Sequence, residues 1–241
     1  MALPTLDGKR IVIIGGSSGI GFSVAENAAG EGAEVIIAGS GQEKLDRALK
    51  RLPDTVQGRR LDVTDEEQVR AFFDEIGAYD HLVYTAGDPL QIRSFEDSDI
   101  TQARGFFNVR YWGAFTAARY GAAGIREGGS IVLSSGSAGA RPGKGWMVAA
   151  SITSASEALG RALAVELAPV RVNTVRPGPT RSELWDGSIP EPEELYRAMG
   201  EKLLVGRVGQ VSEVAQTYLY LMRNGFSTGS TITVDGGHFL T

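Results

Sequence analysis

At 241 residues, 42% of them apolar, the chain is long enough to bury one large core without dividing into domains. A net charge of −5 with no Lys/Arg-rich run speaks against nucleic acid as a partner, and the lack of cysteine excludes disulfides, thiolate metal sites and thiol nucleophiles. Two distant histidines, His81 and His238, make no metal site. The opening residues lack a signal peptide's apolar stretch, and no segment approaches the ~18 apolar residues of a membrane span, so a cytoplasmic protein with no metal and no membrane partner is expected.

In chain order, strands and helices alternate. Residues 10–14 form a short apolar run that ends in glycines, as a buried parallel strand does. A helix follows at 20–29, a strand at 34–38, and a polar helix at 42–51 that stops before Pro53. A short strand at 59–61 precedes a helix that runs to 76, with Thr64 as its cap and Glu67 completing a capping box. The fourth strand is 80–85, and one long helix is expected over 101–125. A fifth strand at 130–134, a helix at 146–167 stopped by Pro169, and a sixth strand at 170–175 follow. Residues 181–205 read as irregular; a helix at 212–222 and a strand at 231–234 close the chain. Such alternation predicts an α/β fold: a doubly wound, Rossmann-type parallel sheet of about seven strands with helices on both faces, as a single domain over 1–241.

The strongest local signal is Gly15-Gly16-Ser17-Ser18-Gly19-Ile20-Gly21, between the first strand and the first helix. Gly15 suits a tight turn, Gly19 lets backbone approach a diphosphate, and Gly21 lets the helix lie close to the sheet, with helix N–H groups facing the phosphates. A dinucleotide is therefore the expected ligand. The end of the second strand, Gly39-Ser40-Gly41, carries no carboxylate for a ribose 2′-hydroxyl. Ser40 can hydrogen-bond a 2′-phosphate, and Lys44 stands near it in sequence, though a solvated helix position is its plainer role. NADP is favoured and NAD stays open.

These motifs together resemble the short-chain dehydrogenase/reductase family over nearly the whole chain. Gly15 to Gly21 resemble its cofactor loop, and Leu61-Asp62-Val63 its adenine-contacting strand end. Thr85-Ala86-Gly87 resemble the second half of its Asn-Asn-Ala-Gly signature, with Tyr84 and Thr85 in place of the asparagines. Pro177-Gly178 resemble the turn over the nicotinamide, while Gly206 to Val214 and Val234 to Gly237 are similar to its C-terminal signature. The resemblance implies cofactor contacts from Gly15, Ser17, Ser18, Gly19, Ile20, Gly21, Ser40, Asp62, Val63, Ala86, Gly87, Pro177 and Gly178. It also implies catalysis by a tyrosine, a lysine four residues later, a serine and a helix asparagine. Here those positions fall on Ala149, Thr153, Gly136 and Arg110, and no tyrosine occurs between Tyr120 and Tyr196.

The remaining candidates for chemistry are Ser135 and Ser137, which flank Gly136, and Arg110, whose guanidinium can clamp an oxyanion or instead pair between helices or subunits. Arg141, Lys144 and Trp146 border the substrate in the resembled fold; neither histidine is expected at the site. Residues 181–205, with Trp185, Asp186 and Tyr196, are the expected substrate lid. Three functions fit. One is an NADP-preferring oxidoreductase with an atypical proton route, acting on a small molecule such as a protonated imine or an activated alkene. Another is a dinucleotide-binding pseudoenzyme, and the third a non-redox isomerase or cyclase in the same cleft. The resemblance also implies a homodimer or homotetramer, with Trp112, Phe115 and the alanine-rich 114–123 surface in the interface, unless they cover the chain's own sheet.

Overall fold

A computed structural model describes residues 5–89, 92–183 and 192–241. The elements are β1 (Arg10–Ile14), α1 (Gly19–Gly30), β2 (Glu34–Gly39), α2 (Gln42–Leu49), β3 (Gln57–Arg60), α3 (Glu66–Ile76), β4 (Tyr79–Tyr84), α4 (Ile100–Phe107), α5 (Gly113–Gly121), β5 (Ile125–Ser134), α6 (Met147–Glu166), β6 (Arg171–Pro177), β7 (Thr180–Arg181), α7 (Pro192–Gly200), β8 (Gly209–Gln210), α8 (Val211–Arg223) and β9 (Thr231–Val234). Seven strands form one parallel sheet in the order β3-β2-β1-β4-β5-β6-β9, and β7 pairs separately with β8.

Alternation along β1 explains how the sheet is covered. Ile11 and Ile13 point into a cluster with Val24 and Ala25 of α1, Leu45 of α2 and Tyr218 of α8. Val12 and Ile14 point the other way, into a cluster with Phe72 and Phe73 of α3, Ala117 of α5 and Leu159 of α6. Each such fully buried aliphatic side chain contributes about 1.5–3 kcal/mol. The strand order reverses between β1 and β4, which opens a crevice at their carboxyl ends. No helix among the described residues is long and apolar enough to cross a membrane.

Four local expectations change. The cap of α3 is Asp65, which accepts from Gln68 N at 3.1 Å, because the Thr64 hydroxyl donates instead to Asp62 Oδ1 at 2.7 Å. The expected long helix over 101–125 is interrupted by a π-helical turn at Asn108–Trp112, where the Tyr84 hydroxyl donates to Val109 O. The segment 181–205 is not irregular throughout: α7 begins at Pro192 with Glu193 and Glu194 in its first turn and Arg197 in its last, matching the helix dipole. Across the end of the π turn and α5 the alanines and aromatics divide the work. Ala114, Ala117 and Ala118 are buried on the chain's own sheet, whereas Trp112 and Phe115 are exposed. Trp185 and Asp186 lie outside the described residues.

At the amino end of the sheet, His81 is buried and its Nδ1 lies 2.9 Å from Ser130 Oγ. Burial, and then the Arg171 charge, push its pKa down from 6.5 to about 4. A neutral base in the folded chain binds fewer protons than in the unfolded one. The stability it supports is therefore complete above pH 6.5 and lost as pH falls toward 4, by up to about 3 kcal/mol. Urea unfolding across that window is expected to show this loss in the parent chain and a flatter profile in His81→Gln.

Candidate active site

The phosphate loop is built by close backbone approach. Gly15 N donates to Ala38 O at 2.8 Å, and Thr85 N donates to Ile14 O at 2.8 Å, so the ends of β2 and β4 fix the turn from both sides. Gly15 has φ +91°, and a Cβ there would lie 2.5 Å from Ala86 N. A Cβ on Gly21 would lie 2.3 Å from Gly15 O. Neither position admits any other residue. Ser18, the N-cap of α1, makes no side-chain cap bond, so the helix's leading N–H groups are left for an anion. One of them, Gly19 N, is bonded to the carboxylate of Glu183 at 2.9 Å. An acidic side chain thus uses the same donor that a phosphate oxygen would.

One cavity of about 1150 Å³ opens on this loop, large enough for a dinucleotide with a second molecule beside it. Its wall contains Gly15, Ser17, Ser18, Gly19, Ile20, Gly21, Ser40, Asp62, Val63, Ala86, Gly87, Pro177 and Gly178, and also Arg110, Ser135, Gly136, Ser137, Ala149 and Thr153. The residues singled out from the sequence are therefore brought to one place. The glycine cradle and the open helix N-terminus fit a dinucleotide diphosphate.

In the other half of the cavity, α6 carries Ala149 and Thr153 one turn apart. The Thr153 hydroxyl is turned back into its own helix, donating to Ala149 O at 2.8 Å and lying 3.2 Å from Ala150 O. Its one proton is spent inside the helix, and it brings no cation to the place a lysine would hold. Ser135 is also engaged, bonding Thr153 O at 3.0 Å and Glu157 Oε1 at 2.8 Å. Glu157 in turn receives Arg176 through Nε at 2.7 Å and through Nη2. Burial works against the Glu157 charge, but the bonds from Arg176 and Ser135 hold its carboxyl below the usual range. Ser135, on the cavity wall, therefore also ties β5 to α6. Ser137 opens a short 3₁₀ turn, and its hydroxyl has no hydrogen-bond partner among the described residues. A Cβ on Gly136 would come within 3.2 Å of the Thr153 methyl, so the glycine and the threonine are matched in size.

Arg110 occupies the π turn. Its guanidinium lies over Gly87, where a Cβ would come within 2.5 Å of Cζ, and Nη2 donates to Asp88 O at 2.5 Å. Its Nε is buried with no partner. Among the described residues Arg110 forms no ion pair between helices; it braces the loop that follows β4. Asp88 also lines the cavity, and burial pushes its carboxyl above the usual range against the pull of Arg110. Sequence reasoning missed Asp88, which directly follows the recognised Thr85-Ala86-Gly87. It also set aside His238, which lines the cavity because Asp235 folds the C-terminal turn inward through bonds from Gly237 N at 3.0 Å and Phe239 N at 3.1 Å. Lys144 is exposed and is not on the cavity wall, whereas Trp146 is, packed with Tyr196 and Val208. Tyr196 bonds Ser182 through both backbone groups, joining α7 to the segment that carries Glu183.

Fold and site together define a dinucleotide-binding α/β domain of the oxidoreductase kind. The chain belongs to the short-chain dehydrogenase/reductase family. Residues 15–238 match a family model described as enoyl-(acyl carrier protein) reductase. The short-chain dehydrogenase/reductase ATR9 of Stachybotrys chlorohalonatus is 34% identical over 267 aligned positions, covering 99% of this chain and 100% of that protein. A small-chain dehydrogenase crystallised with NADPH is 35% identical with a TM-score of 0.84, over 98% of this chain and 100% of that one. The MalC reductase/Diels-Alderase of Malbranchea aurantiaca is 31% identical with a TM-score of 0.90, over 98% of each chain.

Removing the competing carboxylate from Gly19 N is expected to favour a phosphate there. Glu183→Gln should tighten NADPH binding by about 2- to 5-fold in calorimetric titration, the scale of one charge at a helix terminus. Unchanged or weaker binding would exclude this competition.

Proposed function

We propose that the chain is an NADP(H)-dependent reductase whose substrates are polarised double bonds that need no protein acid: protonated imines, which take only the hydride, or activated alkenes, whose carbanion takes its proton from water. The observation that carries this is the pairing of an intact phosphate cradle with Ala149 and Thr153 at the tyrosine and lysine positions, the threonine hydroxyl being spent on its own helix. When bound, the reduced nicotinamide supplies a hydride. The chain's own residues hold and exclude. Gly15 to Gly21 hold the diphosphate, and Asp62, Val63, Ala86, Gly87, Pro177 and Gly178 line the path of the rest of the cofactor. Arg110 keeps a permanent charge and is no proton donor; its Nη1, without a hydrogen-bond partner among the described residues, is suited to anchor a substrate carbonyl or carboxylate oxygen. Trp146 and Tyr196 supply an apolar wall against α7. Activity in the cytoplasm goes with this proposal.

One observation favours a second activity in the same cleft. A chain with a TM-score of 0.90 to this one is described as both a reductase and a Diels-Alderase. A cycloaddition moves no proton and needs only a shaped pocket with a polarising donor, which a cavity lacking the tyrosine–lysine pair but holding Arg110 provides.

With NADPH, cyclic iminium salts are expected to be reduced, while unactivated ketones should be slower by about 10² or more, the usual cost of lacking a positioned acid. Equal rates on both, followed by the loss of reduced-nicotinamide absorbance, would defeat the proposal. The exposed Trp112–Phe115 face supports self-association as a homodimer or homotetramer. Light scattering is expected to give the oligomer for the parent chain and a monomer for Trp112→Glu; a parent monomer would refute the assembly.

A further inference from the structure

Among the described residues, the acids on the cavity wall are Asp62, Asp88 and Glu183. Two of them are engaged. Asp62 accepts from Thr64 N at 2.9 Å and from Thr64 Oγ1 at 2.7 Å, and Glu183 accepts from Gly19 N at 2.9 Å. The Asp88 carboxylate is half-buried and has neither a hydrogen bond nor an ion pair among the described residues.

The surrounding loop leaves this group alone. Arg110 spends Nη2 on the main-chain carbonyl of Asp88, at 2.5 Å, and its guanidinium is packed over Gly87. It braces the backbone instead of meeting the side chain. The next residue is Pro89, whose nitrogen has no proton to give. The Tyr84 hydroxyl is already spent on Val109 O. Burial pushes the Asp88 carboxyl above the usual range, the Asp62 charge adds to this, and Arg110 offsets it only in part. A carboxylate held in this way is costly, and a cation brought beside it lowers the cost. The space beside it is the cavity.

We infer that Asp88 is the counter-ion for a positively charged substrate nitrogen, and that it selects iminium ions over neutral activated alkenes. This names the substrate class of the proposed reductase and rests on that reading. In the reduction a hydride from the cofactor forms the new C–H bond, the C=N π pair becomes the nitrogen lone pair, and the positive charge passes from the substrate to the cofactor ring. Asp88 gives up no proton. Its attraction is strongest before the hydride moves and fades as the nitrogen is neutralised. The contribution of Asp88 therefore falls on KM and not on kcat.

The test compares an N-methyl cyclic iminium salt, whose charge does not depend on pH, with a neutral activated alkene of the same ring size. Asp88→Asn keeps the main-chain carbonyl that Arg110 holds, and an unchanged thermal transition will show that it folds. The ratio of kcat/KM for the iminium to that for the alkene is expected to fall about tenfold or more in Asp88→Asn, through KM, and to be largely restored in Asp88→Glu. In calorimetric titration, a quaternary cyclic ammonium salt that cannot be reduced should bind the parent chain about tenfold more tightly than Asp88→Asn. An unchanged ratio with unchanged ammonium affinity would overturn this assignment and leave the reductase reading standing. A loss shared equally by the alkene would overturn it too, assigning Asp88 to holding its loop. Ammonium binding that depends on Asp88, in a chain that reduces neither compound, would uphold the charge site and overturn the reductase reading.

Discussion

The molecule depends on how closely β1 and β4 approach where the sheet reverses direction. The carbonyl of Ile14 accepts from Thr85 N, and Gly15 presses against the Thr85–Ala86 backbone at a distance no side chain tolerates. The same turn sets the head of α1 and the loop that carries Gly87 and Asp88. One backbone contact thereby fixes both the diphosphate end and the reacting end of the cavity. A larger residue at Gly15 would move both at once, since the parallel strands behind it are fully buried and cannot shift separately.

Around that fixed frame, Gly136, Thr153 and Ser135 on the cavity wall are adjusted to one another. Gly136 leaves room for the Thr153 methyl, the Thr153 hydroxyl bonds its own helix, and its carbonyl accepts from Ser135. Ser135 then leads to the Glu157–Arg176 pair and on to Thr233 of β9. A serine, a tyrosine and a lysine in this place would present three polar groups to the cavity. The groups found here mostly satisfy each other. Such a wall presents few free polar groups to the cleft, which is what the proposed chemistry asks of it.

Sequence periodicity disclosed the architecture because parallel strands read as apolar runs and their glycines stand where backbones meet. It was weaker wherever a side chain chose between local partners. Thr64 carries the signature of a helix cap, yet the neighbouring Asp62 carboxylate captures its hydroxyl and the cap passes to Asp65. A long apolar–polar pattern over 101–125 gives no sign of the π turn, which exists because the Tyr84 hydroxyl, arriving from β4, takes the Val109 carbonyl. Arg47 and Arg51 read as ordinary charges on a polar helix; only the packing of α2 against α1 aligns them with Lys44 along the cavity. His238 was hidden for the same reason, since its position depends on Asp235 folding the chain end back on itself.

The arrangement of charge around the cavity has a direction. Cations of α2 stand at one end, the helix N-terminus of α1 lies in the middle, and Arg110 braces the other end, with the carboxylates of Asp62 and Asp88 on the same wall. Glu183 is a third carboxylate, placed on Gly19 N in the middle. Its neighbour Ser182 is bonded to Tyr196, and Arg181 pairs with Glu193 while lying over the Tyr196 ring. A phosphate that takes Gly19 N must displace a carboxylate whose backbone is tied to α7, and α7 with Trp146 forms the apolar wall of the substrate side. The carboxylate on Gly19 N and the bonds that hold Tyr196 and Glu193 of α7 are thus carried by one short run of chain, residues 181–183.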